Sequence, residues 1–217
     1  MRFIDLSQPL YHECPNCPAH PLVSSTFLAD HPKDGWRVEL LQLVNHTGSH
    51  LDAPLHKLAG TKAIDEIPLE KFAGDAFIAD LRFLKANEGI TPEHLRQTLP
   101  KDLKDKIVLF ATGWGQKRAH QKEWLEDSPF LTVEGAQYLV DAKIRGVGID
   151  HYTVGGSREP LNSQTHTVLL SNEIWILEEL KFESEVFALK QPVHLLTLPI
   201  NLKGHSGSFC RPVLWLS

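Results

Sequence analysis

No stretch of this 217-residue chain approaches the roughly 20 consecutive apolar residues that a membrane-spanning helix needs, so no membrane association is expected. The opening residues, MRFIDLSQPL, lack a long apolar signal core, and the expectation is a cytoplasmic protein. There is no basic block, and the net charge is −5, which argues against an electrostatic nucleic-acid binder. Cysteine is scarce: three residues, an odd number, make a poor basis for a disulfide framework. Cys14 and Cys17 stand together as CPNC, but a zinc ribbon needs a second such pair and only Cys210 remains. Pro15 and Pro18 oppose the helix that a thioredoxin-type pair opens, so the segment reads as a proline-stiffened loop. Repeats, low-complexity tracts and interdomain linkers are missing as well. The expectation is a single domain over residues 1–217, long enough to bury a substantial core. Apolar residues at 42% and charged residues at 23% suit an ordinary soluble globular protein.

The elements present are mostly short strands. RFIDLSQPL reads as a strand running into a turn, and Tyr11 to Pro21, which carries three prolines and no periodicity, as a loop. WRVELLQLV alternates and is rich in β-formers, which predicts a strand leading towards His46. AFIADL, KIVLFAT and GVGID are runs suited to buried strands, and IWILEEL, VHLLTLPINL and RPVLWL to further ones. TPEHLRQTL predicts a helix with Thr91 as N-cap and Pro92 at its first position, and TVEGAQYLVDAKI a second, capped by Thr132. The fold class expected is α/β: a mixed, strongly curved sheet with two or three interleaved helices.

Twelve histidines is a high count for this length, and three of them fall in the segment His46 to His56, HTGSHLDAPLH, together with Asp52. As a helix the segment would place His46 and His50 on one face, but Asp52 would point elsewhere, Gly48 weakens the helix and Pro54 disfavours its continuation. As an unbroken strand it would put all four ligand-type residues on one side. His46 and His50 would then lie roughly 13 Å apart at about 3.3 Å per residue, too far for one ion. The chain must fold back between them, and Gly48 permits it. From His50 an extended segment places His50 and Asp52 on one face, and Pro54 stiffens the approach to His56. Imidazoles gathered around a carboxylate suit Zn²⁺, and less exclusively Mn²⁺ or Fe²⁺. The competing reading is a polar turn with solvated histidines. Its weakness is the same-side spacing of all four residues around an obligatory glycine.

HTGSHLDAPLH resembles the H-x-G-[TS]-H-x-D-x-P-x-H signature of the metal-dependent cyclase/hydrolase family. DLSQPL, FATGW, GVGID, THTVLLSNEIWILEEL and LPINLKGHSGSFCRPVL are similar to further segments of that family, so the likeness runs along nearly the whole chain. Ser49 stands where threonine is commoner, and the CPNCPAH loop departs from the family's small turn residues. The resemblance implies a fold like a swivelling β/β/α domain. It also implies one metal ion held by His46, His50 and Asp52, and a second held by Asp52, His166 and Glu178, with His56 as the catalytic histidine. From the residues alone, Ser163 and Thr165 could cap a short helix carrying His166, and Glu178 reads as a strand-end carboxylate beside Glu179. His151, after Asp150, invites a pocket role, and His12, His20, His31 and His205 can approach a site from loops.

The activity implied is metal-dependent amide hydrolysis by two zinc ions per chain, with manganese or iron as alternatives. The substrates implied are aryl formamides, N-formylkynurenine above all. Trp36 is a candidate for an aromatic contact to substrate. The rivals are opening of a cyclic amide such as isatin or of a lactone, and zinc binding without turnover. A homodimer is implied by the resemblance. The loop from Tyr11 to Pro21 supports it independently, because it has few apolar residues with which to anchor to its own chain.

Overall fold

The computed structural model describes residues 2–216. Its strands are β1 (Arg2–Asp5), β2 (Ser24–Ala29), β3 (Val38–Gln42), β4 (His50–Asp52), β5 (Ala73–Asp80), β6 (Gly89–Ile90), β7 (Ile107–Ala111), β8 (Phe130–Leu131), β9 (Gly146–Ile149), β10 (Trp175–Glu178), β11 (Val193–Leu196), β12 (Gly207–Phe209) and β13 (Val213–Leu216). The α-helices are α1 (Pro92–Thr98), α2 (Lys122–Glu126), α3 (Val133–Asp141) and α4 (Leu161–Ser171). Nine strands form one strongly curled sheet in the order β1-β13-β11-β5-β7-β9-β10-β4-β12. Its middle, β5-β7-β9-β10, is parallel and its two flanks are antiparallel, the mixed α/β sheet expected from the sequence.

The apolar runs explain the parallel middle. A strand covered on both faces has no polar side, and β7 (IVLFA) is buried at every position. Because neighbours alternate, Val108 and Phe110 join the core beneath the helices, with Leu95, Leu139 and Leu169. Ile107, Leu109 and Ala111 join the core on the other face, with Phe72, Leu177 and Leu214. Helices α1 and α3 begin as expected: the Thr91 hydroxyl accepts from the His94 amide at 3.4 Å and the Thr132 hydroxyl from the Gly135 amide at 3.0 Å.

Three expectations need correction. Among the described residues there are four helices rather than two or three, the unanticipated one being α2, only five residues long, while α4 is fuller than the short helix expected around His166. Helix α4 is not capped by Ser163 or Thr165: it starts after Pro160, the Ser163 hydroxyl meets Lys57 at 2.5 Å, and the Thr165 hydroxyl donates to Leu131 O. β3 forms where a strand was expected, and it pairs only with β2, as a hairpin outside the large sheet whose β3 residues are all exposed. The loop from Tyr11 to Pro21 is irregular, as expected, but it is tied to its own chain. Cys14 is fully buried, the Glu13 amide donates to Val23 O at 2.8 Å, and Asn16 Nδ2 donates to Pro21 O at 3.0 Å. All three cysteines are free.

Candidate metal centre

The centre is built on β4 and its two neighbours. His50 lies opposite Glu178 of β10 and opposite Phe209 of β12, and Asp52 lies opposite Ile176 and Gly207. Directly opposed residues share a face, and so do residues two apart, so His50, Asp52 and Glu178 face the same side. That is the helix side, where Ile176 also points and α4 packs against β10. His166 descends onto the group from the second turn of α4, held by its Nδ1 at 2.9 Å from Asn162 O.

Gly48 makes the reversal that brings His46 back. Its φ of +67° is the left-handed conformation that glycine adopts without penalty, and a Cβ there would sit 2.6 Å from Leu10. The Ser49 hydroxyl pins the turn: it donates to Glu179 O at 2.6 Å and accepts from the Gln8 amide at 2.8 Å. Pro54 then opens a short 3₁₀ turn, Pro54–His56, which swings His56 over the group. Its ring centroid is 4.0 Å from that of His46 and 5.9 Å from that of His166.

Asp52 is the common member. His46 Nδ1 is 2.7 Å from Asp52 Oδ1 and His50 Nε2 is 3.4 Å from the same oxygen, while His166 Nε2 is 3.7 Å from Oδ2. Glu178 offers Oε2 to His50 at 3.5 Å and Oε1 to His166 at 3.3 Å. The ligand-type atoms of His46, Asp52 and His56 lie within 4.8 Å of one another, as do those of His50, Asp52 and Glu178. His50 thus stands between Asp52 and Glu178, and His56 shares a cluster with His46 and Asp52.

Burial alone would raise the Asp52 carboxyl, but the nearby imidazoles of His56 and His46 and hydrogen bonds from His46 and His50 hold it well below the usual carboxylate range. Burial would lower His50, yet Asp52 and Glu178 outweigh it and bring the imidazole up to about 9. His56 goes the other way. Burial, helped by His46, His166 and His50, pushes it down to about 4 against the pull of Asp52. The carboxylates are thus arranged to hold positive charge at the centre, and His56 is the neutral imidazole on its rim. Asp52 Oδ2 is buried without a hydrogen-bond partner, an expensive arrangement that a divalent cation would relieve. With imidazole nitrogens and carboxylate oxygens converging on it, this donor set fits zinc or a similar ion.

A model of the Cyclase family matches residues 4–155. The chain belongs to the Cyclase family. It is 31% identical over 222 residues to a kynurenine formamidase of Salinibacter ruber, covering 99% of this chain and 97% of that protein. Among solved structures, isatin hydrolase A from Ralstonia solanacearum superposes with a TM-score of 0.85 at 23% identity, over 98% of this chain and 91% of its own. A potential metal-dependent hydrolase with cyclase activity superposes with a TM-score of 0.81 at 26% identity, over 98% and 96%.

Within this Cyclase-family fold, other candidate residues fall outside the centre. Trp36, at the tip of the β2–β3 hairpin, is 75% exposed and is not among the side chains gathered around Asp52, because its strands leave the main sheet. His151 is fully buried with Nδ1 2.9 Å from the Ser128 hydroxyl and Nε2 2.7 Å from Trp124 O, a structural histidine rather than one lining a pocket. His12, His31 and His205 are exposed. His20 is the loop histidine that does approach: it lies within reach of the His46 and His50 charges and of the His46 backbone, and its Nδ1 is buried without a partner. Ser206 was not anticipated. Its hydroxyl lies 2.9 Å from His46 Nε2, and the sequence signal was its place beside Gly207, which pairs with Asp52.

Proposed function

We propose that this single domain is an arylformamidase that hydrolyses N-formylkynurenine to kynurenine and formate. The chain is a metal-dependent hydrolase acting on carbon–nitrogen bonds, in keeping with its family and relatives. The observation that carries the proposal is Asp52, a buried carboxylate at the meeting point of His46, His50, His56 and His166 with one oxygen lacking any protein donor. Two zinc ions sharing Asp52 are proposed, with His46 and His50 on one side and His166 and Glu178 on the other; manganese or iron would suit the same atoms less exclusively.

Bound there, the ions would supply Lewis-acid polarisation of the substrate carbonyl and would bring the pKa of water down towards about 7. The residues supply the rest. His56, neutral on the rim, takes a proton from the attacking water at an imidazole nitrogen. It returns that proton to the amide nitrogen as the C–N bond breaks, because an unprotonated aniline nitrogen is a poor leaving group. Asp52, Glu178 and the buried walls hold the centre away from bulk water, where charge interactions would be screened. Three free cysteines suit a reducing cytoplasm as the place of action.

The likeness to isatin hydrolase A favours one second reading, opening of a cyclic aryl amide on the same atoms. The decisive experiment follows N-formylkynurenine and isatin by absorbance, each with and without chelator. Chelator-sensitive turnover is expected to favour N-formylkynurenine. Preference for isatin would replace the substrate proposal, and zinc binding without turnover of either would reduce the protein to a metal-binding one.

A homodimer is also proposed. The support is the β2–β3 hairpin, which leaves Phe27, Leu28, Trp36, Val38, Leu40 and Leu41 exposed. Two-stranded hairpins are marginal alone in water, and a second copy of the chain would cover this one. Trp36 at its tip would then meet a neighbour's substrate rather than its own.

A further inference from the structure

Behind the proposed ligands lies a second pair of opposite charges that the reaction does not use. Glu179 follows Glu178 directly, yet the two carboxylates diverge. Glu178 faces the centre, whereas Glu179 has a left-handed φ of +55° that turns its side chain to the back of the His46–His50 turn. There it is 1% exposed and 2.9 Å from Nε of Arg118, itself only 6% exposed. The contact is one of charge rather than of directed hydrogen bonds, since neither Glu179 oxygen has a well-aligned donor. Arg118 also donates from Nη1 to Pro9 O at 2.8 Å. The backbone of Glu179 is held on both sides, its amide donating to His151 O at 2.8 Å and its carbonyl accepting the Ser49 hydroxyl at 2.6 Å. The Gly48 amide lies against its carboxylate, and the carboxylate is close enough to feel the charges on His50 and Glu178.

A buried ion pair seldom adds stability over an apolar pair of the same size, so its retention calls for another reason. In this place the reason is electrostatic. Either charge alone would sit in a poorly screened wall directly behind a cation site, and the Arg118 cation alone would oppose a divalent ion there. We infer that Arg118 and Glu179 are a positioning pair for the metal centre: Glu179 balances Arg118 behind the Gly48 turn, so that the wall behind the ligands carries no net positive charge. The inference rests on the metal reading above. Neither residue is a ligand.

The test is a Zn²⁺ titration of the metal-stripped chain against a chromophoric chelator, at a temperature where circular dichroism shows each variant folded. Glu179→Gln is expected to weaken zinc binding by about tenfold to a hundredfold, the usual scale for partners of ligands. Arg118→Gln with Glu179→Gln, which removes both charges, is expected to return to within about threefold of the unsubstituted chain. Arg118→Lys, which keeps the charge, is expected to bind as the unsubstituted chain does, and Arg118→Gln no more weakly. Unchanged affinity in Glu179→Gln overturns the inference, and so does a double variant as weak as Glu179→Gln. If Glu179→Gln does not fold, the other variants decide: about a tenfold loss in Arg118→Gln marks a merely structural pair and overturns the inference. An unsubstituted chain that binds no zinc defeats the metal reading itself. Binding there with no difference among the variants defeats only the role of the pair.

Discussion

Asp52 and His56 are separated by one turn of backbone and have opposite tasks, which makes them separable by experiment. Asp52 is reached by His46 and His50 on Oδ1 and by His166 on Oδ2, so Asp52→Ala removes the shared anchor. Metal analysis of that variant is expected to show both ions lost, and retention of full metal would disprove the bridge. His56 has no carboxylate within ion-pair distance among the described residues, and its ring rests on His46. His56→Ala is expected to keep its metal and to lose at least about a hundredfold in kcat, the scale of a general acid/base. Near-normal turnover would end the proton-transfer role. The first half of this centre was legible because His46, Gly48, His50, Asp52 and His56 are close along the chain and bound by one spacing argument. His166 and Glu178 were legible only by resemblance. A helix histidine and a strand-end glutamate carry no local mark, and it is the register of β10 on β4 that makes Glu178 face His50. The place of Trp36 outside the centre was not legible, because an exposed aromatic in a turn looks the same in sequence whether it lines a pocket or caps a hairpin.

Among the elements, β12 is the one whose part in the centre is least obvious and easiest to test. Gly207 lies opposite Asp52, and a Cβ there would stand 2.5 Å from Cε1 of His46 and 2.5 Å from Leu51 O. The strand must therefore lack a side chain at this point for His46 to lie over it. Gly207→Ala is expected to cost about 1–3 kcal/mol by overpacking, read as a lower denaturation midpoint, and to lower bound metal by displacing His46. A variant with normal metal content would show that His46 has room to move. The strands of the parallel middle were legible because each carries a short apolar run, such as IVLFA of β7 and WIL of β10, and α1 and α3 because threonine caps announce them. β4 and β12, three residues each, lack periodicity of their own and exist through pairing with neighbours. The start of α4 was hidden for a related reason: its first bonds run to Arg158 O and Pro160 O, before the serine and threonine that look like caps.

At the scale of the whole molecule, the question is what covers the β2–β3 hairpin. Paired residues share a face, so Val38 with Ala29 and Leu40 with Thr26 present one surface, and Phe27 with Glu39 and Leu41 with Ser25 the other. Large apolar groups thus stand exposed on both faces of a ribbon that belongs to no larger sheet. The ribbon also carries charge, Arg37 being paired with Glu39 at 2.8 Å. A second copy of the chain is a match for it, since a two-fold contact lets each hairpin cover its counterpart's apolar surface at once. The loop from Tyr11 to Pro21, expected to need such a partner, is held by its own chain, so the hairpin now carries the argument. Light scattering at micromolar concentration is expected to give at least twice the 24.4 kDa of one chain. Leu40→Lys with Leu41→Lys puts a charge on each face and leaves the metal ligands untouched. That variant is expected to scatter as a monomer while keeping its zinc. A monomeric mass for the unsubstituted chain with full hydrolase activity would show that the hairpin stands uncovered and that one chain completes its own pocket.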